Sequence, residues 1–171
     1  MTLLDLGAGA GLAGISIAKA YPNVDVTVSD YPDAQLMETL SANVAFNDVS
    51  NCKAVSHIWG TDTSNLGSFD TVICADLLWN PEMHSSLVAS LASVTKKSAE
   101  ARVHLIAGLH TGRWTVQAFL SRVCHAGFII DQTIERESKG SDSRPWDVSR
   151  ADREDEKERR RWVVCVTLRW R

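Results

Sequence analysis

The residues best suited to chemistry in this 171-residue chain lie almost at its start. Leu3-Leu4-Asp5-Leu6-Gly7-Ala8-Gly9-Ala10-Gly11-Leu12 reads as a short apolar strand, a glycine turn and the first residue of a helix. Glycine has no Cβ, so glycines at alternate positions let the backbone turn sharply and let a ligand lie directly against it. The chemistry implied is cofactor binding. Gly9, Gly11 and Gly14 fit the G-x-G-x-x-G of dinucleotide binders, while Asp5, Gly7, Gly9 and Gly11 fit the acid-x-G-x-G-x-G of S-adenosylmethionine (SAM) binders. The turn alone is compatible with both, and also with a glycine-rich turn that binds nothing.

The elements around the turn narrow the choice. Leu12, Ile15 and Ala18 repeat at helical spacing until Tyr21-Pro22-Asn23 stops the helix. Val24 to Asp30 alternates as a strand, and Pro32-Asp33 starts a helix whose inward face is Leu36, Leu40 and Val44. Cys52 to Ile58 is a weaker strand closed by Trp59-Gly60. Phe69 to Asp76 is a near-continuous apolar run bounded by acids, the pattern of a strand buried on both faces.

Asn80 caps a helix with Pro81 in its first position and Met83, Leu87, Leu91 and Val94 inward. Arg102 to Leu109 is the fifth strand; Thr111 or Gly112 then opens a helix with Val116, Phe119, Leu120 and Val123 inward and Gly127 as its C-terminal cap. Phe128 to Glu135 and Trp162 to Trp170 are the last strands, with no helix expected between them. The stretch between holds six basic and five acidic residues from Arg150 to Arg161, a density that predicts a solvated loop or a short exposed helix.

Strands alternating with helices demand a parallel sheet covered on both faces and joined by right-handed crossovers. The closing pair without an intervening helix predicts an antiparallel ending. The fold class is therefore α/β: a Rossmann-like sheet of seven strands, mostly parallel, with an antiparallel last strand.

Composition bounds the rest. The length suits one domain over 1–171. A domain rarely begins at its central strand, so an N-terminal segment is expected to precede it. The formal charge of -3, without a basic patch on any one element except near the C-terminus, gives no indication of nucleic-acid binding. No apolar run approaches the roughly 20 residues that span a bilayer, so no membrane partner is expected. Cys52, Cys74, Cys124 and Cys165 are far apart in apolar settings and read as reduced thiols, which suits a cytoplasmic location. No His/Cys/Asp cluster has ligand spacing, so no metal is expected.

The turn and the closing strand pair together resemble the class I, seven-β-strand SAM-dependent methyltransferases, and the resemblance runs the length of the chain. A nicotinamide (NAD) dehydrogenase, the second enzyme reading, needs a substrate domain for which there is no room. Ala75-Asp76-Leu77-Leu78-Trp79-Asn80 resembles the Asp-x-x-aromatic motif of the family 16 group, which modifies lysines or the N-terminus of non-histone proteins. Asp30-Tyr31-Pro32-Asp33, Asp76-Leu77-Leu78 and Gly108-Leu109-His110-Thr111-Gly112-Arg113 look most like a fungal branch named both nicotinamide N-methyltransferase-like and translation elongation factor 1-alpha methyltransferase. Trp79 departs from that branch, which usually has Phe or Tyr there; the ring is kept and any phenol hydroxyl is lost.

The resemblance implies roles. The backbone of Gly7, Ala8, Gly9 and Gly11 cradles the methionine part of SAM, with Asp5 near its ammonium. Asp30 binds the ribose hydroxyls, where two acceptor oxygens suit a diol. Tyr31 and Trp59 pack on the adenine, and Ala75 borders the cofactor. Asp76 and Trp79 are the expected catalytic pair, one orienting an amine or receiving its proton through water, the other holding a cation against its ring. His110 and Arg113 are expected on the same rim, touching substrate. The acceptor is an amine, on a protein such as elongation factor 1-alpha or on a small molecule of the nicotinamide type, and the protein is expected to be a monomer. A non-catalytic SAM-binding chain is the third reading.

Overall fold

The computed structural model describes residues 1–171. Its sheet grows outward from β1 (Thr2–Leu6), the strand that carries the glycine turn. The chain passes through helix α1 (Leu12–Ala20) to β2 (Asp25–Asp30), then through α2 (Ala34–Phe46) to β3 (Cys52–Ser56) at one edge. It then returns past β1 to lay β4 (Thr71–Ala75) on the other side, in parallel with Leu3 beside Thr71 and Asp5 beside Ile73. A 3-10 turn (Pro81–Met83) and α3 (His84–Val94) lead to β5 (Arg102–Gly108), again parallel. Helix α4 (Arg113–His125) precedes the last part of the sheet.

The expected antiparallel ending is present there: the final strand β8 (Trp162–Trp170) lies between β5 and β6 (Phe128–Glu137) and runs antiparallel to both. The stretch expected to be a loop or a short exposed helix folds into an eighth strand, β7 (Ser143–Pro145), paired to β6, then a 3-10 turn (Val148–Asp152) and the one-turn helix α5 (Glu156–Arg159). The sheet order is β3-β2-β1-β4-β5-β8-β6-β7. The correction has a physical cause. The mixed charges do not all face solvent; several of them pair in a buried cluster described below.

Period-two alternation sends each strand's side chains to two cores. Leu4, Leu6, Val72, Cys74, Val103, Leu105, Val164 and Val166 point to the larger one and meet Leu87, Leu91 and Val94 of α3 and Val116, Phe119 and Val123 of α4. Leu3, Val26 and Val28 point the other way and meet Ala18 of α1 and Leu40 of α2. The order reverses between β1 and β4, so the C-terminal ends of these two strands flank the crevice at which open α/β sheets bind ligands. The sequence places the glycine turn on one side of it and Asp76 on the other.

A candidate methyl-transfer site at the strand reversal

The glycines of the turn do different work. Gly7, Gly9 and Gly11 all have positive φ, at 75°, 56° and 86°. A side chain at Gly7 would run into Leu77 and the edge of Trp59, at 2.6 and 3.2 Å; one at Gly11 would strike Leu40 and Ile15, at 2.7 and 2.8 Å. Gly14 faces inward in α1, where a Cβ would collide with Val28 and lie 3.1 Å from Asp5. Only Gly9 of these four has nothing within 4 Å of the place where a Cβ would be. Three glycines are therefore needed for packing of the protein against itself, and Gly9 presents bare backbone to the crevice. This open cradle fits a ligand that approaches main chain closely.

The turn is pinned from β2. The Ser29 carbonyl accepts from Gly7 N–H at 2.8 Å and from Ala8 N–H at 2.9 Å. Asp30, half-buried at the end of β2, accepts from Gly9 N–H through Oδ2 at 2.6 Å and from Tyr31 N–H through Oδ1 at 2.7 Å. Each carboxylate oxygen has a further lone pair to offer, so Asp30 is held in place beside Gly9 and remains able to accept from a diol. Tyr31 is 58% exposed next to it.

Asp5 stands differently from its expected place at an ammonium. It is 1% exposed and its Oδ2 accepts from Gly14 N–H at 2.8 Å, so it ties β1 to the first turn of α1 and offers no solvent-facing carboxylate. Burial, opposed by the Gly14 hydrogen bond and reinforced by the nearby charge of Asp30, pushes its pKa up to about 6. Trp59 is half-buried between the turn and the larger core, while Ile58 is exposed. His57 is buried and bonded to Ser90 of α3 at 2.9 Å, which fixes this strand end to the helix layer.

Across the crevice, Ala75 and Asp76 are exposed at the end of β4. Asp76 adopts the left-handed conformation, φ 57°, one of two non-glycine residues to do so. Such strain concentrates at sites where the surroundings hold a residue in place. Here Asp76 N–H donates to the Ile106 carbonyl at 2.7 Å and its Oδ1 accepts from Gly108 N–H at 3.0 Å, locking the β4 end to the β5 end. His110 Nδ1 crowds the same glycine: a Cβ on Gly108 would lie 2.7 Å from it and 3.4 Å from Asp76 Oδ1. Asp76 and His110 thus share one corner, with Trp79 58% exposed on the same loop as Asp76.

Arg113 does not belong to that rim, contrary to expectation. It is 1% exposed, with bidentate contacts to Glu135 (2.6 and 2.8 Å) and to Glu154 (2.6 and 2.9 Å). Arg144 and Arg150 add further bonds to Glu135, each at 2.8 Å. A guanidinium with its donors so engaged has no valence left for a substrate. Its work is to join the start of α4 to β6 and to the 3-10 turn. Glu135, Arg144, Arg150 and Glu154 are partners that sequence reasoning missed, because a charge run carries no mark of which members turn inward.

The crevice is an open shelf. A recess of about 460 Å³, lined by Thr2, Asp25, Lys53 and Phe69 among others, lies at the opposite, N-terminal ends of β1, β2 and β3 and contains none of the expected site residues.

Comparison with known proteins agrees with this geometry. A family profile described as lysine methyltransferase matches residues 1–125. A protein N-terminal and lysine N-methyltransferase of Schizosaccharomyces pombe is 31% identical over 147 residues, covering 78% of this chain and 57% of that protein. One from Gibberella zeae is 28% identical, over 79% of this chain and 59% of that protein. The chain thus spans under two thirds of the length of the curated relatives it matches. Among solved structures, a TehB-like SAM-dependent methyltransferase from Corynebacterium glutamicum superposes with a TM-score of 0.68 at 17% identity, covering 99% of this chain and 80% of that one. A SAM-dependent methyltransferase from Aquifex aeolicus gives 0.70 at 16% identity, covering 98% and 81%. These findings resolve the overlap between the two glycine patterns in favour of SAM. The chain belongs to the lysine methyltransferase family and carries the Rossmann-like fold of SAM-dependent methyltransferases.

Proposed function

We propose that this protein is a SAM-dependent N-methyltransferase whose acceptor is an amine of a protein, a lysine side chain or an N-terminus. The observation that carries the reading is the bare backbone of Gly9, bracketed by Asp30, facing the Asp76–His110 corner across the strand reversal. A cofactor half and an acceptor half meet there.

When bound, SAM supplies a methyl group on a sulfonium that is already activated for in-line displacement. The chain's residues have the remaining tasks of binding, alignment and exclusion of water. Gly7, Ala8, Gly9 and Gly11 hold the methionine portion by main-chain contact, Asp30 accepts from the ribose diol, and Tyr31, Trp59 and Ala75 border the rest. Asp5 supports this arrangement from beneath the turn. The amine must be neutral to react. Asp76, fixed by Gly108 N–H, orients it and takes its proton directly or through water, and His110 stands beside it. Trp79 holds the cationic product against its ring, a contact worth roughly 0.5–2 kcal/mol.

A protein acceptor is supported by the fungal relatives, which are protein N-terminal and lysine N-methyltransferases, and elongation factor 1-alpha is the acceptor that the sequence resemblance singles out. A monomer acting in the cytoplasm suits that acceptor, and no helix is long and apolar enough to cross a membrane. Calorimetry with SAM tests the cofactor half; binding is expected, and no heat with this chain or an N-terminally extended form overturns it. Mass spectrometry of a lysate treated with isotopically labelled SAM tests the acceptor half. Label on a lysine or N-terminus is expected, and label confined to small amines overturns it.

A further inference from the structure

Helix α3 buries two polar side chains, His84 and Ser90, on a helix whose inward face is otherwise Leu87, Leu91 and Val94. A buried polar group needs a partner, and each of these finds its partner in a loop of the candidate site. At 3.6 residues per turn, six positions put the two side chains about 120° apart around the helix axis, so they reach different flanks. His84 Nε2 lies 3.1 Å from the Leu78 carbonyl, and its ring meets Phe119 of α4 edge-on at 5.2 Å. Burial holds its pKa below the ordinary histidine range, so the ring is neutral; a carbonyl only accepts, so the one ring proton sits on Nε2. Leu78 stands in sequence between Leu77, which fills the space beside Gly7, and exposed Trp79. On the other flank, Ser90 Oγ accepts from Gly60 N–H at 2.9 Å and pairs with His57 Nε2 at 2.9 Å. Gly60, with φ 82°, lies so near α3 that a Cβ there would sit 3.1 Å from the Ser86 side chain, one turn before Ser90. The two clamped residues bracket Trp59, whose edge lies against Gly7.

We propose that α3 sets the two indoles of the site through two positioning residues: His84 places the Trp79 loop for the acceptor, and Ser90 places the Trp59 loop for the cofactor. The assignment of acceptor and cofactor to these loops rests on the N-methyltransferase reading; the clamps themselves do not. Both residues are buried, so each acts through the loop it holds. The loop after β4 is tied at its start by Asp76 to Gly108 N–H, and the His84 bond ties it again at Leu78, next to Trp79. Without the second tie Asp76 keeps its place while Trp79 is free to swing. The segment after β3 leaves the sheet once His57 N–H has bonded the Asp30 carbonyl at 2.8 Å, and the Ser90 hydroxyl is the group that then joins Gly60 to the helix. Because one helix carries both ties, the cofactor loop and the acceptor loop share a common support.

Fluorine NMR of the fluorotryptophan-labelled protein reads the clamps without recourse to activity. The six tryptophans give six resonances, assigned by replacing each in turn with phenylalanine. Met and Gln are of like length and differ at the tip, where only Gln can donate. His84→Met should shift or broaden the Trp79 resonance and leave that of Trp59 in place, and His84→Gln should return Trp79 to its wild-type position. Ser90→Ala should do the reverse, disturbing Trp59 and sparing Trp79. In function, His84→Met should lower methyl transfer from labelled SAM to lysate protein by up to roughly 100-fold, the scale of a misplacement of about 1 Å, and Gln should recover most of that loss. Ser90→Ala should weaken SAM binding in calorimetry by roughly 2- to 10-fold, the scale of one hydrogen bond, with turnover kept at saturating SAM. A Trp79 resonance that is the same in the Met and Gln variants overturns the proposal, as does a His84→Met or Ser90→Ala variant that moves both resonances equally. A wild-type chain that binds no SAM overturns the cofactor reading instead, and the resonances still decide the clamps.

Discussion

The two sides of the strand reversal are built by opposite means. On the β1–β2 side the site is made of main chain: positive-φ glycines, the Ser29 carbonyl and a carboxylate held by two N–H groups. On the β4–β5 side it is made of exposed side chains, Asp76, Trp79 and His110, standing on strand ends that are joined by one carboxylate–amide bond. Under the proposed function the difference suits their partners. A cofactor of constant shape can be met by a rigid backbone, which tolerates few residue types; an acceptor that differs between enzymes is met by side chains, which can change without disturbing the fold.

Substitution at Gly9 and at Gly14 should separate binding from packing most sharply. A Cβ at Gly9 meets no atom of the protein within 4 Å, so Gly9→Val is expected to abolish SAM binding by calorimetry while the chain still folds, at about 1–2 kcal/mol for a side chain in the left-handed region. Gly14→Val, driven into Val28 and Asp5, is expected to prevent folding or cost several kcal/mol in denaturant titration. Equal stability losses at the two positions would break the contrast. Arg113→Met should cost about 3–5 kcal/mol, because it strands buried Glu135 without its main counter-charge. The measured midpoint should fall with no direct change in acceptor KM; a selective KM effect would return Arg113 to the rim.

A pH titration of stability probes the foundation of the cofactor side. Asp5 has a folded pKa near 6, above its ordinary 3.8, so the native state binds the extra proton and stability falls as pH rises from about 4 to 6. The penalty, roughly 3 kcal/mol at most for that shift, is complete above the folded value and absent below the unfolded one. Asp5→Asn, which can still accept from Gly14 N–H, should flatten the wild-type slope in that window. An unchanged slope would mean that Asp5 is not the titrating group. Smallest of all, Trp79→Ala should lower turnover by an amount equivalent to roughly 0.5–2 kcal/mol with little change in SAM affinity. The reverse order would move Trp79 to the cofactor side.

The legibility of the two sides follows the same division. The glycine turn could be read from spacing because the positive φ of Gly7, Gly9 and Gly11 is a local requirement, whereas the neighbours that leave Gly7 and Gly11 no room for a side chain, Leu77, Trp59 and Leu40, are distant in sequence. Asp30 could be read because it ends a clearly alternating strand. Arg113 could not be placed, since the residues that bury it, Glu135, Glu154, Arg144 and Arg150, lie 22 to 41 positions away and look like their solvated neighbours. The inward turn of Glu154 and the eighth strand, β7, escaped the reading of the charged stretch for the same reason. Charge density records how many ions are present and says nothing of which ones face each other.

Periodicity and turn chemistry in the sequence alone determined the alternation of strands and helices and the glycine turn at the end of β1. Those properties depend on φ, ψ and side-chain period, which are local. Tertiary structure alone decided that β8 lies between β5 and β6, that Asp5 supports the turn from below, and that Arg113 is buried in ion pairs. Each of these depends on which distant segments share a surface, and the free energy that selects them comes from desolvation and pairing between elements, which no single stretch of sequence contains.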